Sequence, residues 1–169
     1  MLALGGGAGE IKRLKKVATE IGFKEGEVLF LGALSRNEVL SWLRRCTVFV
    51  LPSKFETFGC VLVEALFCGK PVVATNCGGP SEIVSEGLGI LVENGCTAMD
   101  LAYAIEDALE RKRLLGSAEI RRIAVSKFGR LAVSQILINF YCSFLIGLTK
   151  PGSKIGYDLV GGTRQNESS

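Results

Sequence analysis

The stretch Ser53-Lys54-Phe55-Glu56-Thr57-Phe58-Gly59-Cys60-Val61-Leu62-Val63-Glu64 carries the residue types best suited to gripping an anionic ligand. It follows an uncharged run at residues 47–51 and Pro52, and its second half reads as a helix from about Gly59 to Cys68. Ligands of open parallel sheets sit beyond the carboxyl ends of the strands, which is where this segment emerges. A helix starting near Phe58 leaves the N–H groups of Phe58, Gly59, Cys60 and Val61 without intrahelical acceptors. With the helix dipole behind them, such donors form an anion site suited to a pyrophosphate. Gly59, lacking a Cβ, lets the anion come close to the backbone.

Two carboxylates complete the set. Glu56 precedes the helix and can accept hydrogen bonds from sugar hydroxyls beside the phosphate. Glu64 leans back toward the helix amino end, where it can accept from both hydroxyls of a ribose, because a carboxylate is a bidentate acceptor. Spacing alone is equally compatible with an ordinary strand–loop–helix whose Glu64 is merely solvated. Cys60 reads either as an acidified thiol at a helix start or as a small filler whose backbone matters. Lys54 is either a phosphate neighbour or a solvated lysine. Gly78-Gly79 either lets a loop pass close to a ligand or simply turns the chain, and Gly5-Gly6-Gly7 poses the same choice.

These residues need a scaffold, and the pattern supplies one. Short apolar runs alternate with helical ones, which predicts an α/β layer fold with a mostly parallel sheet. Strands are expected at residues 2–4, 28–31, 47–51, 72–75 and 90–92, with 47–51 buried on both faces. Ile11, Leu14, Val17, Ala18 and Ile21 recur at helical spacing. Ser35 and Glu38 form a capping box for a helix running to about Cys46. A short helix is expected near residues 81–84. Thr97 and Asp100 cap a further helix whose buried stripe is read as Leu101, Ala102, Ile105, Ala108 and Leu109. Right-handed crossovers place helices on both faces of the sheet. Residues 131–149 hold no charge, reaching the length of a membrane span, but Ser134, Gln135, Asn139, Tyr141 and Ser143 interrupt them. They read as a terminal helix packed on a partner domain, with membrane-surface association as an alternative. Residues 151–169 read as a disordered tail.

Composition narrows the chemistry. The chain of 169 residues suffices for one well-buried core. Its net charge of +3, from 20 Lys+Arg against 17 Asp+Glu, does not argue for nucleic acid. There is no histidine, which removes Ser-His-Asp and Cys-His catalysis, H-E-x-x-H zinc sites and any histidine base within this polypeptide. Six cysteines show no metal spacing and read as reduced, mostly buried thiols of a cytoplasmic protein. The opening Met1-Leu2-Ala3-Leu4 is too short for a signal peptide and resembles the end of a buried strand, as though the chain starts partway through a domain.

The string Glu56-Thr57-Phe58-Gly59-Cys60-Val61-Leu62-Val63-Glu64-Ala65 resembles the E-x-F-G-x-V-x-x-E-A signature of glycosyltransferase family 4, with its E-x(7)-E pair. The similarity continues in order through Phe30-Leu31-Gly32, Val48-Phe49-Val50-Leu51-Pro52-Ser53, Cys68-Gly69-Lys70-Pro71-Val72-Val73-Ala74-Thr75, Gly78-Gly79-Pro80-Ser81-Glu82, Gly89-Ile90-Leu91-Val92 and Leu101-Ala102-Tyr103-Ala104-Ile105. It covers roughly residues 2–144.

The resemblance implies a Rossmann-like parallel sheet with helices on both faces, one half of a GT-B fold. It implies a donor-binding domain over residues 1–128, a terminal helix over 129–150 that packs on a missing partner domain, and the tail. Glu56 would contact the donor sugar and take the catalytic position. Amides around Phe58, Gly59, Cys60 and Val61 would contact sugar and phosphate, and Glu64 the ribose. Ala33 and Leu34 would lie near the nucleobase. The reaction implied is retaining transfer from a UDP-, GDP- or ADP-sugar co-substrate, with no metal or other cofactor in this domain. The family's amino-terminal acceptor domain has no counterpart here, and its Arg and Lys that neutralise the leaving diphosphate would fall upstream of Met1. The turn between Gly78 and Gly89 is about one residue short of the family pattern. Catalysis by this chain alone is therefore not expected. A non-catalytic or split-subunit nucleotide-sugar-binding module, and a nucleotide-sugar epimerase-like enzyme, stand as rival readings. The expected setting is the cytoplasm or the cytosolic face of a membrane.

Overall fold

A computed structural model describes residues 2–5, 8–111 and 113–146. Alternating strands and helices run β1 (Leu2–Gly5), α1 (Ala8–Glu20), β2 (Val28–Gly32), α2 (Arg36–Arg45), β3 (Phe49–Leu51), α3 (Cys60–Phe67), β4 (Val72–Asn76), α4 (Pro80–Ile83), β5 (Gly89–Glu93), α5 (Ala98–Glu110), α6 (Ser117–Phe128) and α7 (Arg130–Ile146). All strand pairings are parallel, as the alternation predicts, but they form two sheets, β1-β2 and β3-β4-β5. Compared with the doubly wound order 3-2-1-4-5-6, the described strands match the outer pair and the opposite three, and no described strand fills the central place. Among the described residues β1 and β3 therefore each pair on one side only.

The chain divides into two compact units, Met1–Ala124 and Val125–Ser169. The core of the first is built around β4. Val72, Val73 and Ala74 have no solvent exposure, so both faces of this central strand are covered. On one face Val73 packs with Ala104 and Ala108 of α5, joined by Val48, Val50, Ile90, Val92, Leu101, Ile105 and Leu114. Leu62, Ala65 and Leu66 of α3, Ile83 of α4 and Leu88 are fully buried as well.

Two packing expectations change. The α5 stripe is Leu101, Ala104, Ile105 and Ala108, whereas Ala102 and Leu109 face solvent. The i, i+3, i+4, i+7 spacing fits the observed set better, and counting Ala102 and Leu109 widened the face beyond what the sheet covers. The run 47–51 is not buried on both faces: only Phe49–Leu51 is strand, and all three residues are half-buried because a single neighbour, β4, pairs with them. Helix α6, not anticipated from the sequence, buries Ile120 and Ala124 in the first unit.

In the second unit α7 carries Leu131, Val133, Ile136, Leu137, Ile138, Phe140, Tyr141 and Phe144 all exposed. Gln135 Nε2 donates to Asn139 Oδ1 at 2.9 Å along its narrow polar stripe. Among the described residues no helix is long and apolar enough to cross a membrane. The expected tail at 151–169 and Gly6-Gly7 lie outside the described residues.

Candidate functional site

The segment singled out from sequence leaves the carboxyl end of β3 at Pro52. Helix α3 begins at Cys60, two residues later than a start near Phe58, with Gly59 as its N-cap at φ 95°, ψ 48°. That left-handed backbone favours glycine. A Cβ here would also meet Leu62 Cδ1 at 3.1 Å, Glu56 Cγ at 3.5 Å and Ile83 Cδ1 at 3.6 Å. Glu56 thus lies over the helix start. No side chain caps α3, and among the described residues the N–H groups of Cys60 and Val61 meet no acceptor. Two of the four expected orphan donors are in the helix's first turn, while Phe58 and Gly59 precede it.

Three elements hold this loop, although it has no extended ladder of its own. The Thr75 hydroxyl, at the end of β4, donates to the Ser53 carbonyl. Asn94 Nδ2, just past β5, donates to the Lys54 carbonyl at 3.3 Å. The Gly79 N–H donates to the Glu56 carbonyl at 3.1 Å, and Glu56 and Gly78 form an isolated parallel bridge. A Cβ on Gly79 would overlap the backbone of Phe58. The close approach that two adjacent glycines permit is therefore to the loop itself. Neither Thr75 nor Asn94 was legible as part of this arrangement. The only signals were one polar residue closing an apolar strand and an Asn-Gly pair at a turn.

Glu56 and Glu64 are half-buried, and among the described residues neither carboxylate accepts a hydrogen bond or ion pair. Glu64 stands four residues beyond Cys60, between the buried Val63 and Ala65, so its side chain leans toward the first turn. Cys60 and Lys54 are exposed, and Phe55 is 90% exposed. The six cysteines are unpaired, but Cys60 is exposed and the others only half-buried, which corrects the expectation of mostly buried thiols. Cys46 and Cys68 are the C-caps of α2 and α3, Cys77 and Cys96 lie in loops after β4 and β5, and Cys142 is on the exposed α7. Burial pushes the Cys46 thiol pKa up.

Ala33 is exposed and Leu34 half-buried, in the turn after β2. That turn also leaves a carboxyl strand end, but from the other sheet, and among the described residues no hydrogen bond joins it to residues 53–64. No group of three or more metal-ligating side chains occurs among the described residues. What the geometry offers is a cluster of open amide donors flanked by two open carboxylates. Such a set has the chemistry to take up a polyhydroxylated anion.

The fold and this loop are those of one half of a GT-B glycosyltransferase. The chain belongs to the glycosyl transferases group 1 family, whose model matches residues 1–123. It is 39% identical over 118 residues to a D-inositol 3-phosphate glycosyltransferase of Paenarthrobacter aurescens (strain TC1), covering 68% of this chain and 28% of that one. It is 40% identical over 84 residues to an uncharacterised glycosyltransferase of Methanocaldococcus jannaschii, covering 50% of this chain and 24% of the relative. Among solved structures, HepE of Anabaena in complex with UDP-glucose is similar with a TM-score of 0.64 and 30% identity, over 83% of this chain and 40% of HepE. Sucrose-phosphate synthase of Thermosynechococcus elongatus gives a TM-score of 0.70 at 27% identity, over 87% of this chain and 39% of that one. The chain thus spans well under half the length of these proteins.

Proposed function

We propose that this chain binds the nucleotide-diphosphate-sugar donor of a retaining glycosyltransferase, and that transfer requires an acceptor-binding domain outside it. The observation that carries the reading is the uncapped start of α3, set between two unpartnered carboxylates at a strand's carboxyl end. Amides of Phe58, Gly59, Cys60 and Val61 take the sugar and diphosphate. Oriented N–H dipoles suit an anion because they need no counter-ion and no reorganisation. Glu56, folded over the helix start, accepts from donor-sugar hydroxyls beside the reacting carbon. Glu64 accepts from the ribose diol, and Ala33 and Leu34 lie toward the base.

Residues 1–128 make up the donor domain in this reading, and α7 is the surface it offers to the rest of the protein. A helix exposing Leu131, Ile136, Phe140 and Phe144 together belongs against other protein, since a helix that is mostly apolar round its circumference is normally buried. The similarity to HepE, crystallised with UDP-glucose, makes that donor the first to try. Calorimetry with UDP-glucose, GDP- and ADP-sugars tests the site. At least one donor binds, and Glu64→Ala weakens it by about ten- to a hundredfold, as expected for a lost hydrogen bond to a charged group. Wild-type-like binding by Glu64→Ala removes the ribose assignment, and silence of the wild type toward every donor removes the reading.

A further inference from the structure

Thr75 is the one polar residue in the buried interior among the described residues, at 6% exposure. The β3–β4 ladder ends with Leu51 opposite Ala74. In this register the next β3 group facing β4 is the Ser53 carbonyl, and the Cys77 N–H that would reach it turns back to the Thr75 carbonyl at 3.0 Å. Thr75, one step further along β4, fills the gap with its side chain: its hydroxyl donates to the carbonyl of Ser53. On its other edge Thr75 still pairs with Val92 of β5, so the hydroxyl ties the loop's first residue to the best-covered strand of the molecule.

From Ser53 the chain needs only three residues to reach Glu56, and three more to reach the N-cap Gly59. The other ties on this loop sit at its surface or further along: Asn94 is exposed, and the Gly79 N–H acts at Glu56 itself.

We infer that Thr75 is a positioning residue for the donor site, its hydroxyl setting the take-off of the loop and, through it, the place of Glu56 and the α3 amides. This rests on the donor-binding reading. Removing the hydroxyl leaves the Ser53 carbonyl without its donor in a partly buried place, which lets residues 53–59 sample other conformations. Part of the donor's binding free energy then goes into ordering them.

The test pairs two measurements on the full chain with Thr75→Val, which keeps the side chain's shape, and Thr75→Ser, which keeps the hydroxyl. Amide hydrogen exchange without ligand reads the loop itself. Thr75→Val accelerates exchange of the Gly79 and Leu62 amides, which the loop carbonyls of Glu56 and Gly59 hold, about tenfold while residues 72–74 stay as protected as in the wild type, and Thr75→Ser stays near wild type. Calorimetry with UDP-glucose reads the consequence, with affinity about tenfold weaker for Thr75→Val and within about twofold for Thr75→Ser. Unchanged exchange at Gly79 and Leu62 overturns the inference, as does exchange rising equally through β4, which marks plain destabilisation. Faster loop exchange with unchanged affinity overturns it too. A wild type that binds no nucleotide sugar overturns the donor reading and the positioning role with it, and the exchange arm then decides separately whether the hydroxyl holds the loop.

Discussion

Helices α2 and α5 begin in a different way from α3. Ser35 accepts from the Glu38 N–H while Glu38 Oε2 accepts from the Ser35 N–H at 2.8 Å, and Thr97 and Asp100 repeat the exchange, also at 2.8 Å. Both starts are thereby covered by their own side chains, which satisfy the N-cap and third-position donors locally. At α3 the N-cap is a left-handed glycine with no side chain to offer, and the first turn holds no acidic residue. All three helices face the same requirement to satisfy amino-terminal donors. In two of them a side chain takes the third donor; in α3 the Gly59 carbonyl takes it at 2.8 Å, and no side chain covers the helix start.

Substitutions that blur this distinction have unequal effects. The largest is expected at Gly59. Gly59→Ala forces a Cβ into φ 95° and against Leu62, destabilising the fold by about 2 kcal/mol in urea unfolding. It also displaces the open amides, so UDP-glucose affinity falls by more than about tenfold. Wild-type affinity in a destabilised Gly59→Ala would detach the helix start from the ligand.

Removing a closed cap is gentler and selective. Ser35→Ala or Thr97→Ala lowers stability by about 1 kcal/mol each, and calorimetry shows donor affinity unchanged. A shift in affinity there would mean that the closed and open helix starts are not independent.

The smallest effect comes with acid. Hydrogen bonds from the Ser35 side chain and then its backbone hold the Glu38 carboxyl below its ordinary 4.5, and those from Thr97 hold Asp100 below 3.8. Folded pKa values below unfolded ones contribute stability that is present above the unfolded values and lost as pH falls through the folded ones. Thermal midpoints followed from pH 6 to pH 3 therefore drop a little more steeply in the wild type than in Glu38→Gln/Asp100→Asn. Parallel profiles would show the boxes to be electrostatically inert.

The contrast explains what could be seen in advance. Capping boxes are local, so Ser35/Glu38 and Thr97/Asp100 were legible from residues three apart. Strand and helix positions followed from periodicity, and Glu56, Gly59 and Glu64 stood out because their spacing implies a common helix end. Thr75 and Asn94 reach the loop across 22 and 40 positions of sequence, and no local pattern encodes such a partnership. The half-exposure of β3 and the true α5 stripe were likewise set by which neighbours cover them. Helix α6 went unseen because its buried Ile120 and Ala124 are too few to give a strong apolar repeat.

The one-sided pairing of β1 and β3 reaches beyond the ligand. A strand with a bare flank displays a row of peptide groups that any extended chain can zip onto. At β3 that flank belongs to Phe49-Val50-Leu51, within a run that carries no charge and no proline before Pro52. Arg44-Arg45 before that run and Pro52 and Lys54 after it are the flanking residues that discourage a stranger from adding itself. The strand that launches the ligand loop is thus guarded at both ends against pairing with an extended chain.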